Sequence, residues 1–180
     1  MKLDLTGGFN GDLYAYLSHD GILVPLLNRV GVTATAPASD FGYSDSGFAV
    51  TFSQSAGHDV HFYDQFSPTI TGGQLTGSWQ PDGRTISPLS AAASFDSASQ
   101  ISLDAFNGHD PNGSWTLFIA DVSAGGGQSQ LTSWELDITA VPEPGEWALV
   151  MGLVSLGVWA GRKRLRSKHR LTTGSIGSRG

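Results

Sequence analysis

Residues 12–27 read Asp-Leu-Tyr-Ala-Tyr-Leu-Ser-His-Asp-Gly-Ile-Leu-Val-Pro-Leu-Leu, and this stretch decides the fold. Its first half places Leu13, Ala15 and Leu17 at every second position, which is the period of a strand with one buried face. Asp20-Gly21 is a turn dipeptide, so the second half is expected to return as the other arm of a β-hairpin. The stretch therefore predicts an antiparallel β fold.

Short apolar runs continue on both sides of this hairpin. Gly, Ser, Thr, Asp and Asn separate them at intervals of about 8 to 12 residues, which is typical of an all-β sandwich or barrel. Ser67–Ser99 is predicted to be a long connection rich in Gly, Pro, Ser and Ala. We expect strands at Lys2–Thr6, Asp12–Ser18, Ile22–Leu27, Phe48–Ser53, Val60–Tyr63, Trp115–Ala120 and Leu131–Thr139.

Charge is divided sharply along the chain. Residues 1–140 carry three basic and 14 acidic side chains, a net charge of −11, whereas residues 141–180 have a net charge of +5. Because residues 1–140 are strongly acidic, they repel phosphate backbones, so nucleic acid is excluded as a partner. Cysteine is absent, which excludes a disulfide framework and a cysteine-based metal site. About 140 residues are enough for one domain with its own core.

The C-terminal segment has three parts in a fixed order. Pro142-Glu143-Pro144 precedes an apolar run, Trp147–Gly161, and a basic cluster follows at Arg162, Lys163, Arg164, Arg166, Lys168 and Arg170. As a helix, the 15-residue run reaches about 22 Å, which is short of the ~30 Å hydrocarbon core of a bilayer. Its cationic end is expected to stay in the cytoplasm. The segment predicts a processing signal, with an ordinary anchor helix as the alternative.

Those three parts resemble the PEP-CTERM sorting signal of Gram-negative bacteria. The resemblance implies export through the inner membrane, transient anchoring there, and cleavage near the motif by an exosortase-type transpeptidase. The destination it implies is the cell surface or the extracellular polysaccharide matrix. Such signals normally stop after the basic cluster, whereas here residues 171–180 follow as a Gly/Ser-rich tail that we expect to be disordered. Met1–Thr6 does not read as a signal peptide, so further residues are expected upstream.

Two blocks of residues 1–140 resemble the P domain (Homo B domain) found beside subtilisin-like proprotein convertases. Residues 11–18 are similar to its GDL-x-x-x-L opening, and residues 107–117 to its G-x-x-P-x-G-x-W-x-L signature, with residues 120–136 matching the segment that follows. The resemblance implies a jelly-roll-like antiparallel β-sandwich. The residues that would define this module are Asp12, Leu13, Leu17, Gly113, Trp115, Leu117, Asp121, Trp134 and Leu136.

The two tryptophans of this pattern are interpreted as core. Trp115 and Trp134 each begin an alternating apolar set, so both are expected on inward faces of neighbouring strands. Their indole N–H groups need acceptors, for which Asp121 or a loop carbonyl is suitable. These residues define the module and are not expected to act on a substrate.

No catalytic residues are predicted. The nearest approach to a Gly-x-Ser-x-Gly nucleophile elbow, residues 42–47, has one residue too many. His58 and His61 would point to opposite faces of a strand, so a solvated loop is preferred over a shared metal, and His109-Asp110 is interpreted as a local pair. Calcium is the better inorganic candidate, without an assigned ligand set, because hard oxygens lie in or beside loops at Asp40, Asp45, Asp82, Asp104, Asp110 and Asp121.

The leading hypothesis is an exported, non-enzymatic β-sandwich protein that its C-terminal signal delivers to the bacterial surface or matrix. The partners expected from it are the transpeptidase, the inner membrane and extracellular polysaccharide. Two alternatives stay open. One is a fragment or accessory module of a subtilisin-like serine protease. The other is a carbohydrate-binding module that stacks sugars on exposed rings among Tyr14, Tyr16, Tyr63 and Trp79.

Overall fold

The computed structural model describes residues 1–139 and residue 153. The chain divides into two units, Met1–Ile138 and Thr139–Gly180, and nearly all of the described residues belong to the first. That unit is mostly β, with one five-stranded and one three-stranded sheet, and its helices are short. The prediction of an all-β, mainly antiparallel fold is confirmed at this level.

The described strands are labelled in chain order. They are β1 (Lys2–Thr6), β2 (Leu13–His19), β3 (Ile22–Asn28), β4 (Gly47–Phe52), β5 (Ile70–Thr71), β6 (Gln74–Trp79), β7 (Thr116–Asp121) and β8 (Gln130–Glu135). A short α-helix, α1, covers Ala92–Asp96. Turns of 3-10 helix lie at Asn10–Asp12, Val60–Phe66 and Leu103–Phe106.

The five-stranded sheet has the order β5-β6-β4-β1-β8, and the three-stranded sheet has the order β3-β2-β7. β4 and β6 pair in parallel, while the other pairs are antiparallel. β7 and β8 therefore lie at edges of two different sheets. The prediction that Trp115 and Trp134 sit on neighbouring strands is wrong, because the chain changes sheet between them.

The β2–β3 hairpin forms as its sequence predicts. Leu13, Ala15 and Leu17 are buried, while the residues between them are partly exposed. His19 and Ile22 are directly paired, so the turn consists of Asp20 and Gly21 alone. Both turn residues have positive φ, 48° and 78°, which the favoured type I′ hairpin turn requires.

One hydrophobic core draws on both sheets. The three-stranded sheet contributes alternate residues of β2, and the five-stranded sheet contributes alternate residues of β1 and β4, with Leu75 of β6. Burial of each such side chain stabilises the fold by roughly 1.5–3 kcal/mol. The largest fully buried aromatic side chains are Phe48, Phe52, Tyr63 and Phe95.

Three predicted segments differ from the structure. Val60–Tyr63 is not a strand but the start of a 3-10 turn, which begins where the Asp59 carboxylate accepts a hydrogen bond from His61 N at 2.7 Å. The supposed connection Ser67–Ser99 contains β5, β6 and α1. The last strand ends at Glu135, four residues before the predicted Thr139.

The β8 edge leaves apolar side chains uncovered. Trp134 is paired with Leu3 and Leu131 with Leu5, so both lie on the inward face of the sheet. This face was predicted for Trp134, and a shift in the β1–β8 register brings Leu131 to it as well. Trp134 is nevertheless 39% exposed and Leu131 is 43% exposed, whereas Leu3 and Leu5 are buried. The expectation that Trp134 belongs to the core is therefore wrong, because alternation sets the face but an edge strand lacks the cover that buries it.

Candidate functional site

Three loops converge on one polar cavity. They follow β4, follow β6, and precede the Leu103–Phe106 turn. Backbone hydrogen bonds join them: Val60 N donates to Gln80 O at 3.0 Å, and Ile101 N donates to Gly83 O at 2.9 Å. Gly83 has a φ of +71°, and a Cβ there would lie 2.5 Å from Ile101 O. Only glycine fits this close crossing of two loops.

A buried ionic cluster lies beside this cavity, and two of its members, Asp59 and Asp82, belong to the cavity lining. Asp82 and His61 are fully buried, and His61 Nδ1 lies 2.6 Å from Asp82 Oδ2. The other ring nitrogen, Nε2, lies 3.0 Å from the Val32 carbonyl. Both ring nitrogens of His61 therefore lie within hydrogen-bond distance of an oxygen atom. The interpretation of His58–His61 as a solvated loop is wrong for His61, although His58 is exposed.

Arg84 completes the cluster. Its Nη1 lies 3.2 Å from Asp82 Oδ1 and 3.5 Å from Asp59 Oδ2, and its Nε donates to Phe95 O at 3.1 Å. The guanidinium carbon lies 5.1 Å from the centre of the Phe62 ring, a cation–π geometry. Buried charges of this kind persist because each is paired, and removing one leaves the others uncompensated.

The cavity itself has a volume of about 150 Å³. Its lining combines carboxylates and carboxamides with a smaller apolar part. The residues are Gln54, Asp59, Gln80, Pro81, Asp82, Gly83, Gln100, Ile101 and Ser102.

Each of the three glutamines is fixed at one end of its carboxamide. Gln54 Oε1 accepts from Leu103 N at 3.2 Å, and Gln80 Nε2 donates to Ala56 O at 2.7 Å. Gln100 Nε2 donates to the Asp82 carbonyl at 2.9 Å. Within the described residues, the opposite amide atoms, Gln54 Nε2, Gln80 Oε1 and Gln100 Oε1, make no hydrogen bond. Each glutamine of the lining thus keeps one amide atom without a hydrogen-bond partner among the described residues.

A second cluster surrounds His19, at the end of β2. Its Nε2 lies 2.7 Å from the Asp110 carbonyl and its Nδ1 lies 3.1 Å from the Ser114 carbonyl. These two hydrogen bonds raise the pKa of His19 above its usual value, because the protonated ring can donate to both. The ring also stacks on Trp115, with centroids 4.0 Å apart. His19 therefore holds the loop of residues 107–115, called the signature loop below, against the β2–β3 hairpin.

That loop differs in detail from its predicted arrangement. His109 Nδ1 lies 3.6 Å from Asp20 Oδ2 and does not form the predicted pair with Asp110. The Asp110 carboxylate instead accepts from the backbone and side chain of Asn112, which lowers its pKa. The Trp115 indole donates to the Pro111 carbonyl at 3.1 Å, as one of the two predicted alternatives requires.

Two of the four candidate stacking aromatics are buried. Tyr63 and Trp79 belong to the core, so they cannot form a sugar-stacking surface. The Tyr63 hydroxyl donates to Asp45 Oδ2 at 2.6 Å, and burial raises the pKa of this phenol well above its usual range. Tyr14 and Tyr16 are partly exposed on the outer face of the three-stranded sheet, where Tyr16 stacks on Phe118 at 4.9 Å. This mutual stacking occupies one face of each ring.

The calcium candidates do not converge. In residues 1–139, no group of three or more His, Cys, Asp or Glu side chains is arranged to hold a metal ion. Asp45 bonds Tyr63, and Asp82 is engaged by His61 and Arg84. Asp121 accepts from Ser123 N at 3.3 Å near the end of β7.

The residues that were predicted to define the module are spread over residues 1–138 and are not gathered at one site. Leu13, Leu17 and Asp12 are buried. Trp115, Leu117 and Leu136 are partly buried and pack against the core. Gly113 has a φ of +105°, which favours glycine in the signature loop.

The predicted sorting segment lies outside the described residues, apart from the single helical residue Leu153. Pro142-Glu143-Pro144 and the basic cluster at Arg162, Lys163, Arg164 and Arg166 are therefore not placed. Of the helices in the described part of the chain, none is both long and apolar enough to cross a membrane.

The glutamine cavity was not predicted from the sequence. Gln54, Gln80 and Gln100 are 26 and 20 positions apart, and no motif links them. One local signal exists: Pro81-Asp82-Gly83 follows Gln80 and is a turn-forming stretch. It indicates a turn but not which loops that turn contacts.

Comparison with known proteins adds no relative. No protein-family model, no curated protein and no solved structure matches this chain significantly.

Proposed function

We propose that this chain is an exported, non-enzymatic β-sandwich protein, delivered by its C-terminal segment to the surface or extracellular matrix of a Gram-negative bacterium. One observation carries the proposal: Pro142-Glu143-Pro144, the apolar run Trp147–Gly161 and the basic cluster of residues 162–170 occur in that order. The basic end stays in the cytoplasm and residues 1–140 lie outside. An exosortase-type transpeptidase then cleaves near the motif.

For the body, we infer a jelly-roll-like β-sandwich of the P-domain (Homo B) class. Two sheets that share one core support this inference. The two sequence blocks behind the resemblance fall on the β2–β3 hairpin and on the loop that leads into β7. His19 joins these two blocks through its contacts with Asp110 and Ser114.

The engagement of the buried histidines supports a non-enzymatic role. A general base needs a nitrogen within reach of a substrate proton. His61 uses both nitrogens on Asp82 and the Val32 carbonyl, and His19 uses both on loop carbonyls. Their contacts stabilise the body and leave no ring nitrogen for proton transfer.

The decisive experiment changes the sorting motif in the full chain. Pro142, Glu143 and Pro144 are replaced together by alanine, and the altered and unaltered chains are expressed behind the same cleavable signal peptide in a Gram-negative host that carries an exosortase. We expect the unaltered protein in the surface or medium fraction, with a mass that ends near residue 144. The altered protein should fold normally but remain in the inner-membrane fraction at full length, because the transpeptidase no longer recognises it.

A matched control replaces Leu171, Thr172 and Thr173, which lie beyond the basic cluster, by alanine. This variant should be released like the unaltered protein. Release of the motif variant at the normal rate, with the same trimmed mass, would show that the sorting proposal is wrong.

A further inference from the structure

We propose that the cavity lined by Gln54, Gln80 and Gln100 binds an uncharged polyhydroxyl ligand, such as one neutral sugar unit. This proposal concerns residues 1–138 and is tested on the purified protein. It does not depend on how or where the chain is delivered.

The first argument is the match of donors and acceptors. Gln54 Nε2 supplies a donor, and Gln80 Oε1 and Gln100 Oε1 supply acceptors. Ser102 Oγ, which already accepts from Asp104 N at 3.2 Å, has a hydroxyl proton to donate. A sugar hydroxyl both donates and accepts, so adjacent hydroxyls need such a mixed set of partners.

The second argument is preorganisation. Ordering a long side chain on binding costs roughly 0.5–1.5 kcal/mol, and three glutamines would normally incur this cost three times. Here each carboxamide is already held by a bond to Leu103 N, to Ala56 O, or to the Asp82 carbonyl. One end of each carboxamide is therefore already restrained before a ligand arrives, which lowers this cost.

The third argument concerns charge. Asp59 and Asp82 line the cavity, and the Asp59 carboxylate, which is partly exposed, repels anions such as uronic acids or phosphates. Both carboxylates lie within 3.5 Å of the Arg84 guanidinium, so a metal cation would have to compete with a charge that is already there. A neutral ligand meets neither obstacle.

Size and shape point to a single ring. The volume of about 150 Å³ lies below the roughly 300–1,000 Å³ of pockets for drug-sized ligands, so the cavity suits a ligand no larger than a single ring. Ile101, which is partly exposed, gives the lining an apolar part, which suits the C–H face of a sugar ring. Gln100 is exposed, so the cavity opens to solvent and can take one unit at the end of a longer chain.

Nuclear magnetic resonance of the purified protein tests this proposal. The side-chain amide signals of Gln54, Gln80 and Gln100 are followed during separate titrations with glucose, galactose and mannose. We expect at least one of the three hexoses to shift these signals in a saturable way. Glucuronic acid and calcium chloride should not shift them. Dextran, a neutral polymer, then distinguishes binding of a chain end from binding of the free sugar alone.

Two variants test whether Gln100 contributes to the binding of hexoses. Gln100→Ala should weaken hexose binding about tenfold, since one lost hydrogen bond is worth about 1–1.5 kcal/mol and each 1.4 kcal/mol is tenfold in affinity. Gln65→Ala is the matched control, because Gln65 is exposed on the Val60–Phe66 turn and does not line the cavity. Unchanged thermal unfolding of both variants shows that they are folded.

Three outcomes overturn the proposal. The first is the absence of saturable shifts at the three glutamines of the unaltered protein with every hexose, a result that does not depend on any variant folding. The second is a response of these signals to calcium but not to sugars. The third is hexose affinity that falls equally in the Gln65 and Gln100 variants.

Discussion

The two sides of the body use the same alternating sequence pattern with opposite results. On the closed side, formed by β4, β6 and the Val60–Phe66 turn, Phe48, Val50 and Phe52 alternate along β4 and are buried. On the open side, formed by the edge strands β7 and β8, Leu117 is partly buried and Trp134 is 39% exposed.

This difference shows that alternation and burial are separate properties. Alternation decides which face of a sheet a side chain occupies. Burial requires a second layer over that face, and this layer covers β4 more completely than β8. The closed side also buries charge, because His61, Asp82 and Arg84 lie there with mutual partners.

The largest expected effect comes from removing the Asp82 carboxylate, which lies in the ionic cluster of the closed side. Asp82→Ala leaves His61 and Arg84 buried without their shared partner, and breaking such a cluster costs about 3–5 kcal/mol. Equilibrium unfolding in urea measures this loss. Asp40→Ala, which removes an exposed carboxylate, should change stability by no more than about 0.5 kcal/mol. Equal effects of the two substitutions would contradict the proposed role of the cluster.

Core substitutions test the contrast between the two sides directly. Phe48→Ala on the closed side should cost about 3–5 kcal/mol through the cavity that it leaves. Trp134→Ala on the open side removes a larger side chain but should cost only about 1 kcal/mol, because much of it already contacts water. Both values come from urea unfolding. A larger cost for Trp134 than for Phe48 would mean that the open edge is covered in solution.

The sequence predicted those parts of the fold whose determinants are local. Leu13, Ala15 and Leu17 with the Asp20-Gly21 turn contain everything that the β2–β3 hairpin needs. β6 was missed because Gly77 interrupts it and because its parallel pairing with β4 supplies the stabilisation.

The candidate site could not be predicted, since its residues meet only through topology. His61 follows an exposed polar stretch, and its burial depends on Asp82, 21 residues later. The three glutamines come from three separate loops, and the close crossing at Gly83 brings them together. The spacing of these residues along the sequence does not indicate that they are close together in the fold.

The smallest expected effect is a pH dependence that arises where His19 of β2 contacts the loop that leads into β7. His19 has a raised pKa in the folded protein, so protonation favours folding. The stabilisation is fully present below the unfolded value of about 6.5 and is lost as the pH rises through the higher folded value. Asp20 and Asp110 contribute to this shift, after the hydrogen bonds to the Asp110 and Ser114 carbonyls.

His19→Phe keeps a ring that can stack on Trp115 but removes the titration. The stability advantage of the unaltered protein over this variant should therefore be largest in mild acid and should shrink as the pH rises above about 6.5. Urea unfolding across this pH range measures the change. His58→Phe removes a surface histidine and is the control. An advantage that stays constant or grows with pH would show that His19 acts as a neutral packing residue, and that the loop is held by Trp115 alone.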